Sequence, residues 1–202
     1  MRLCAVSTFT SSQPRVILDF LERTTADFVL LPGSGSNTPT PTQVQRVLQS
    51  GVSVFVEGAG GKRHAIPYLV TSTSTEAMPR QIFSQHPTAN EIDVLVQNLP
   101  DRTFTIATRK VTILICGEII AFNPDGTVKH GRTLPFDILA NPAHTMMGHW
   151  NHLGRKLVNL SLKSLVLYCT NNDHGHNRLT TDVRIYQKGI LLLNRNSDGD
   201  LT

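Results

Sequence analysis

The run Val111-Thr-Ile-Leu-Ile115 leads directly into Cys116, and glycine follows at once. Strand ends are where α/β proteins expose reactive groups, because the chain turns there and backbone N–H groups come free. A thiol so placed is a candidate nucleophile for acyl transfer. An ordinary thiol, with a pKa of about 8.5, is only a few per cent thiolate at neutral pH, so it needs a base. Glu118 lies two positions on, His144 just past Asn141-Pro142, and His86 beyond the Gln81 segment. Each is a candidate base. The competing reading is that Cys116 is a small buried hydrophobe and these are rim or surface residues.

Other chemistry-bearing patterns carry less. The late histidines His144, His149, His152, His174 and His176 match no Cys/His zinc framework, so no metal is expected. Gly58-Ala-Gly-Gly-Lys62 invites a phosphate-loop reading, but Val56 and Arg63 stand where that motif needs glycine and Ser/Thr. A turn between strands suffices. No cofactor is called for.

The elements that must position the thiol alternate. Strands are expected at residues 3–8, 28–31 and 52–56, with helices at 14–25 and 42–49 between them. The middle reads as a meander of strands at 65–71, 80–83, 92–96, 104–107 and 111–115, pointing to antiparallel additions. Alternation then returns, with a strand at 136–140, a helix at 150–162, a strand at 165–169 and a closing hairpin, 183–186 with 190–193. Asp27-Phe-Val-Leu-Leu-Pro32 echoes Phe136-Asp-Ile-Leu-Ala-Asn-Pro142, which suggests two similar halves. Cys4 and Cys169 fall inside apolar strands and read as core.

The cysteine strand resembles the nucleophile strand of the carbon–nitrogen hydrolase (nitrilase) superfamily. Other segments match in order: Ala26–Pro32 its strand ending Pro-Glu, Met78–Phe83 its Arg-Lys segment, Leu139–Ala143 the strand after the nucleophile, and Tyr186–Ile190 the closing hairpin. The resemblance implies a four-layer α-β-β-α sandwich with mixed sheets. In active members it also implies a Glu-Lys-Cys triad acting on amides or nitriles. The cysteine position is Cys116, but the glutamate position falls on Gly33 and the lysine position on Gln81. Neither a base nor a cation stands where the resemblance puts them, and loss of one oxyanion donor alone costs ~10²–10³ in rate. The expectation is therefore a degenerate nitrilase-fold protein that binds a small amide or nitrile ligand, or a partner. The alternative is a thiol-dependent C–N hydrolase with a replacement base, using Glu118, Asn141 or His144 as pocket residues. The resemblance also implies a homo-oligomer.

Composition agrees with a globular chain of 202 residues, 40% hydrophobic and 17% charged, read as one domain over 1–202. The net charge of +4 is scattered, with no nucleic-acid module signature. Three cysteines make no disulfide framework, and no apolar run reaches the ~20 residues of a membrane span. A cytoplasmic protein without nucleic-acid or membrane partners is expected.

Overall fold

The computed structural model describes residues 1–9, 14–33, 35, 38–58, 65–123, 127, 136–144, 150–172 and 183–195. The first half comprises β1 (Leu3–Ala5), β2 (Thr8–Phe9), α1 (Pro14–Arg23), β3 (Phe28–Leu30), α2 (Pro41–Val47), β4 (Ser53–Glu57), β5 (Pro67–Val70) and β6 (Thr75–Ala77). The second comprises α3 (Ala89–Asn98), β7 (Thr103–Ile106), β8 (Arg109–Ile113), β9 (Ile138–Ala143), α4 (Trp150–Leu160), β10 (Leu165–Asn172), β11 (Val183–Gln187) and β12 (Ile190–Arg195). Short 3₁₀ turns cover Pro100–Arg102 and Cys116–Ala121.

One sheet runs β1-β3-β4-β5-β6 and the other β12-β11-β10-β9-β8-β7, with β2 pairing β10. Each holds a parallel trio, β1-β3-β4 and β8-β9-β10, extended by antiparallel strands. The two echoing sequence segments supply β3 and β9, the middle strand of each trio. Alternation along these strands makes the layers, because successive side chains point to opposite faces. Phe28 and Leu30 of β3 meet Ile138, Ala140, Leu167 and Cys169 between the sheets. Val29 and Leu31 face the other way, onto Ile17 and Leu21 of α1 and Val44 of α2. On the second sheet, Leu139, Val166 and Tyr168 pack under Ile92 and Leu95 of α3 and Leu153 and Leu157 of α4. Three apolar interfaces separate four layers, so the fold is the α-β-β-α sandwich with mixed sheets.

Three local readings are corrected. Residues 92–96 are helix, not strand: a capping box between Thr88 and Glu91 starts α3, and Ile92, Leu95 and Leu99 recur at helical spacing in the core. Residues 80–83 are not a strand, because buried side chains take their backbone groups: Arg102 donates to the Arg80 carbonyl and Glu118 accepts from the Ile82 amide. The middle is not wholly antiparallel, since β8 runs parallel to β9, Val111 opposite Ile138. β6 was not anticipated.

Candidate active site at the strand ends

β8 is buried from Val111 onward, and the chain stays extended through Leu114 and Ile115, where the Leu114 amide donates to the Ala140 carbonyl. It then turns sharply. Cys116 has φ 49°, in the left-handed region that costs a non-glycine residue about 1–3 kcal/mol. Such strained strand-to-helix elbows raise a nucleophile above its surroundings. Gly117 is required by close approach, because a Cβ there would lie 1.8 Å from the Ser84 carbonyl oxygen.

The elbow is held from beneath. Glu118 is fully buried; it accepts from the Ile115 amide at 2.8 Å and the Ile82 amide at 2.8 Å, and pairs with the equally buried Arg102 guanidinium. Burial pushes its carboxyl up, opposed by Arg102 and the two amides. With its oxygens so engaged, Glu118 braces the elbow. Asn141, on β9, donates its amide nitrogen to the carbonyls of Leu114 and Cys116, the latter at 3.1 Å.

His144 follows β9 directly. It is 3% exposed, hydrogen-bonds the Cys116 side chain, and places Nε2 2.7 Å from Oε2 of Glu57, itself 2% exposed at the end of β4. Burial disfavours the imidazolium, but hydrogen bonds to Cys116 and Glu57, and the charges of both, outweigh it. The ring is pushed up to about 10 and is protonated at neutral pH. Gly33 makes the room: a Cβ there would stand 2.7 Å from His144 Cδ2, and the Gly33 amide donates to the Ala143 carbonyl at 3.1 Å. Gln81, 8% exposed, lies in the segment tied to the elbow through Arg80, Ile82 and Ser84, and donates Nε2 to the Phe83 carbonyl at 2.8 Å.

Cys116, His144, Glu57 and Gly33 thus all stand at the carboxyl ends of parallel strands, β8 and β9 from one sheet, β4 and β3 from the other. This is where open α/β sheets place ligands. Of the residues singled out by sequence, Cys116 and His144 come together, Gly33 lies against the imidazole, and Gln81, Asn141 and Glu118 surround the elbow. His86, with φ 47°, is exposed. His152 is exposed on α4, while His149, His174 and His176 lie outside the described residues. Among the described residues no group of three His, Cys, Asp or Glu side chains is placed to hold a metal ion. Sequence reasoning missed Glu57 and Arg102. The signal for Glu57 was a lone carboxylate closing the apolar run Val54–Val56, since buried acids are rare unless paired.

The fold is that of the carbon–nitrogen hydrolase superfamily. A superfamily protein from Xanthomonas campestris, XC1258, shares 11% identity with TM-score 0.57, over 91% of this chain and 78% of that one. The NitN amidase of Nesterenkonia sp. AN1 shares 14% with TM-score 0.57, over 97% and 89%. The glutamine-dependent NAD+ synthetase of Acinetobacter baumannii shares 12% with TM-score 0.60, over 92% of this chain and 40% of that larger one. No family model matches the sequence, and no curated protein is similar to it by sequence. No described helix is long and apolar enough to cross a membrane.

Proposed function

We propose that the protein is a thiol-dependent carbon–nitrogen hydrolase in which His144 and Glu57 take over the work of the missing glutamate and lysine. One observation carries this reading: a buried imidazole bridges the Cys116 thiol and the Glu57 carboxylate. That is the nucleophile–base–orienter order of cysteine hydrolases on other folds. The Glu57 carboxylate holds the imidazole and stabilises its protonated form.

The chemistry runs in two steps. The Cys116 sulfur attacks the carbonyl carbon of an amide. As the C–N bond breaks, His144 gives its proton to the departing nitrogen, which leaves as amine or ammonia with a thioester on Cys116. Water then attacks the thioester while His144 takes a proton from it, releasing the carboxylic acid and the thiol. The Nesterenkonia amidase of like fold, a mutant of which was solved with a covalent adduct on its active-site cysteine, supports the substrate class.

The test is turnover of a panel of amides and nitriles by the wild type, Cys116→Ala and His144→Ala. Hydrolysis should vanish in the first variant and fall ~10²–10⁴-fold in the second, the usual worth of a general acid–base group. A silent panel, with iodoacetamide labelling Cys116 no faster than Cys4 and Cys169, would overturn the proposal. It would leave the binding-only reading, which rests on Gly33 at the glutamate position and the neutral Gln81 at the lysine position. Cys4 and Cys169 are suitable references, because burial pushes both thiols up.

A further inference from the structure

A second cavity, of about 430 Å³, lies at the other pole of the sandwich. Its lining includes the first residue of four strands: Leu3 of β1, Arg109 of β8, Ile138 of β9 and Leu165 of β10. β8 and β9 each run from this cavity to the elbow, where Cys116 and His144 follow them. Leu3, Ile138 and Leu165 belong to the apolar layer between the sheets, so the cavity floor is the end of that layer.

The rim is cationic. Arg109 follows the β7–β8 turn, Lys163 lies between α4 and β10, and Lys188 lies in the β11–β12 turn. Three separate connections thus bring a positive charge to one cavity. All three side chains are exposed, and none has an ion-pair partner among the described residues. A lysine after a helix often serves the last carbonyls, but α4 does not need Lys163. The carbonyls of Leu157, Val158, Asn159 and Leu160 accept from the Ser161 amide, the Ser161 hydroxyl, the Leu162 amide and the Ser164 hydroxyl in turn. The one carboxylate in the lining, Asp137, already accepts from the Lys110 amide at 2.9 Å. The Met1 amine, also at the cavity, pairs with Asp27 outside it at 3.8 Å.

We infer that this cavity binds a phosphate monoester with a small apolar body. The inference is independent of the hydrolase reading. Three side-chain cations against one carboxylate leave an excess of positive charge, and a monoester brings about −1.5 to −2 at pH 7. Its oxygens would accept from Arg109, Lys163 and Lys188 in charge-assisted bonds. Its body would rest on Leu3, Ile138 and Leu165. A bare inorganic anion leaves that floor wet, and a neutral apolar molecule leaves the like charges unrelieved. The volume falls in the range of small-ligand pockets, roughly 300–1,000 Å³.

Isothermal titration calorimetry at low salt and neutral pH, with phenyl phosphate, inorganic phosphate and phenol, tests this. Phenyl phosphate should bind at one site about tenfold more tightly than inorganic phosphate, because its ring leaves water. Phenol should give no measurable binding at the same concentrations. Lys163→Gln and Lys188→Gln should each weaken phenyl phosphate ~3–10-fold. Arg46→Gln, which removes the same charge from α2, should bind as the wild type does, and so should Cys116→Ala. Lys163, Lys188 and Arg46 are exposed, so these variants should keep the wild-type circular dichroism spectrum. Phenyl phosphate binding no tighter than inorganic phosphate would overturn the inference. So would equal weakening by Arg46→Gln, which marks a diffuse surface field, or loss of binding in Cys116→Ala, which places the anion at the elbow. None of these outcomes bears on amide turnover, which tests the hydrolase reading separately.

Discussion

At residue scale, Gly33 and His144 exchange space. Where the resemblance called for a glutamate there is no side chain, and the imidazole occupies that ground. Gly33→Ala places a methyl group 2.7 Å from the ring, which cannot yield without leaving Cys116 or Glu57. We expect this variant to lose at least tenfold in Cys116 alkylation and in amide turnover, with a near-wild-type circular dichroism spectrum. The charge on His144 has its own signature. A folded-state value of about 10 against an ordinary 6.5 means that its stabilisation is complete below about pH 6.5 and is lost as pH rises through about 10. Wild-type Tm should therefore fall more steeply between about pH 7 and 10 than that of His144→Gln, and a parallel course for the two proteins would refute the assigned protonation. Cys116 was readable in the sequence because a thiol ended an apolar run. The histidine was readable only as one of several candidates, because which residue meets the sulfur depends on how two sheets dock.

At the scale of elements, the Arg102–Glu118 pair joins the 3₁₀ turn before β7, the elbow after β8 and the segment at 80–84. Both ions are fully buried, so removing one partner strands the other. Arg102→Met should cost about 3–5 kcal/mol in urea denaturation. The double variant Arg102→Met/Glu118→Leu should recover part of that loss, while elbow-dependent activity stays low in both. Equal stability of the single and double variants would show that the stranded carboxylate is not what destabilises. Elements with an unambiguous period were legible, as with α1 and the strands around Val29 and Val54. The segment at 92–96 was not, because Ile-Asp-Val-Leu-Val satisfies strand alternation locally. Only the capping box at Thr88 and the spacing out to Leu99 select the helix. The segment at 80–84 carried no periodic signal at all, since buried side chains from elsewhere bind its backbone.

Taken whole, the molecule concentrates its packing between the sheets, where β3 and β10 share one apolar layer. Leu167 lies fully buried there among Phe28, Leu30 and Ile138. Leu167→Ala should cost about 2–5 kcal/mol, lowering Tm by several degrees, as measured by calorimetry. It should also slow Cys116 alkylation, because the sheets it joins carry the partners of one hydrogen-bonded chain. The layer order was legible from alternation and from the echo between residues 27–32 and 136–142. The meeting of Glu57 with His144 was not, because it joins residues 87 positions apart through a register no local pattern encodes.

That crossing has a temporal corollary. Glu57 is synthesised long before Cys116, and His144 later still, with β10 to follow. A growing chain therefore carries its thiol for some time before the imidazole proposed to activate it exists, and the proposed site is complete only when the layers close on each other. Reagent uptake at this one sulfur would then serve as a clock for the final docking event during biosynthesis or refolding.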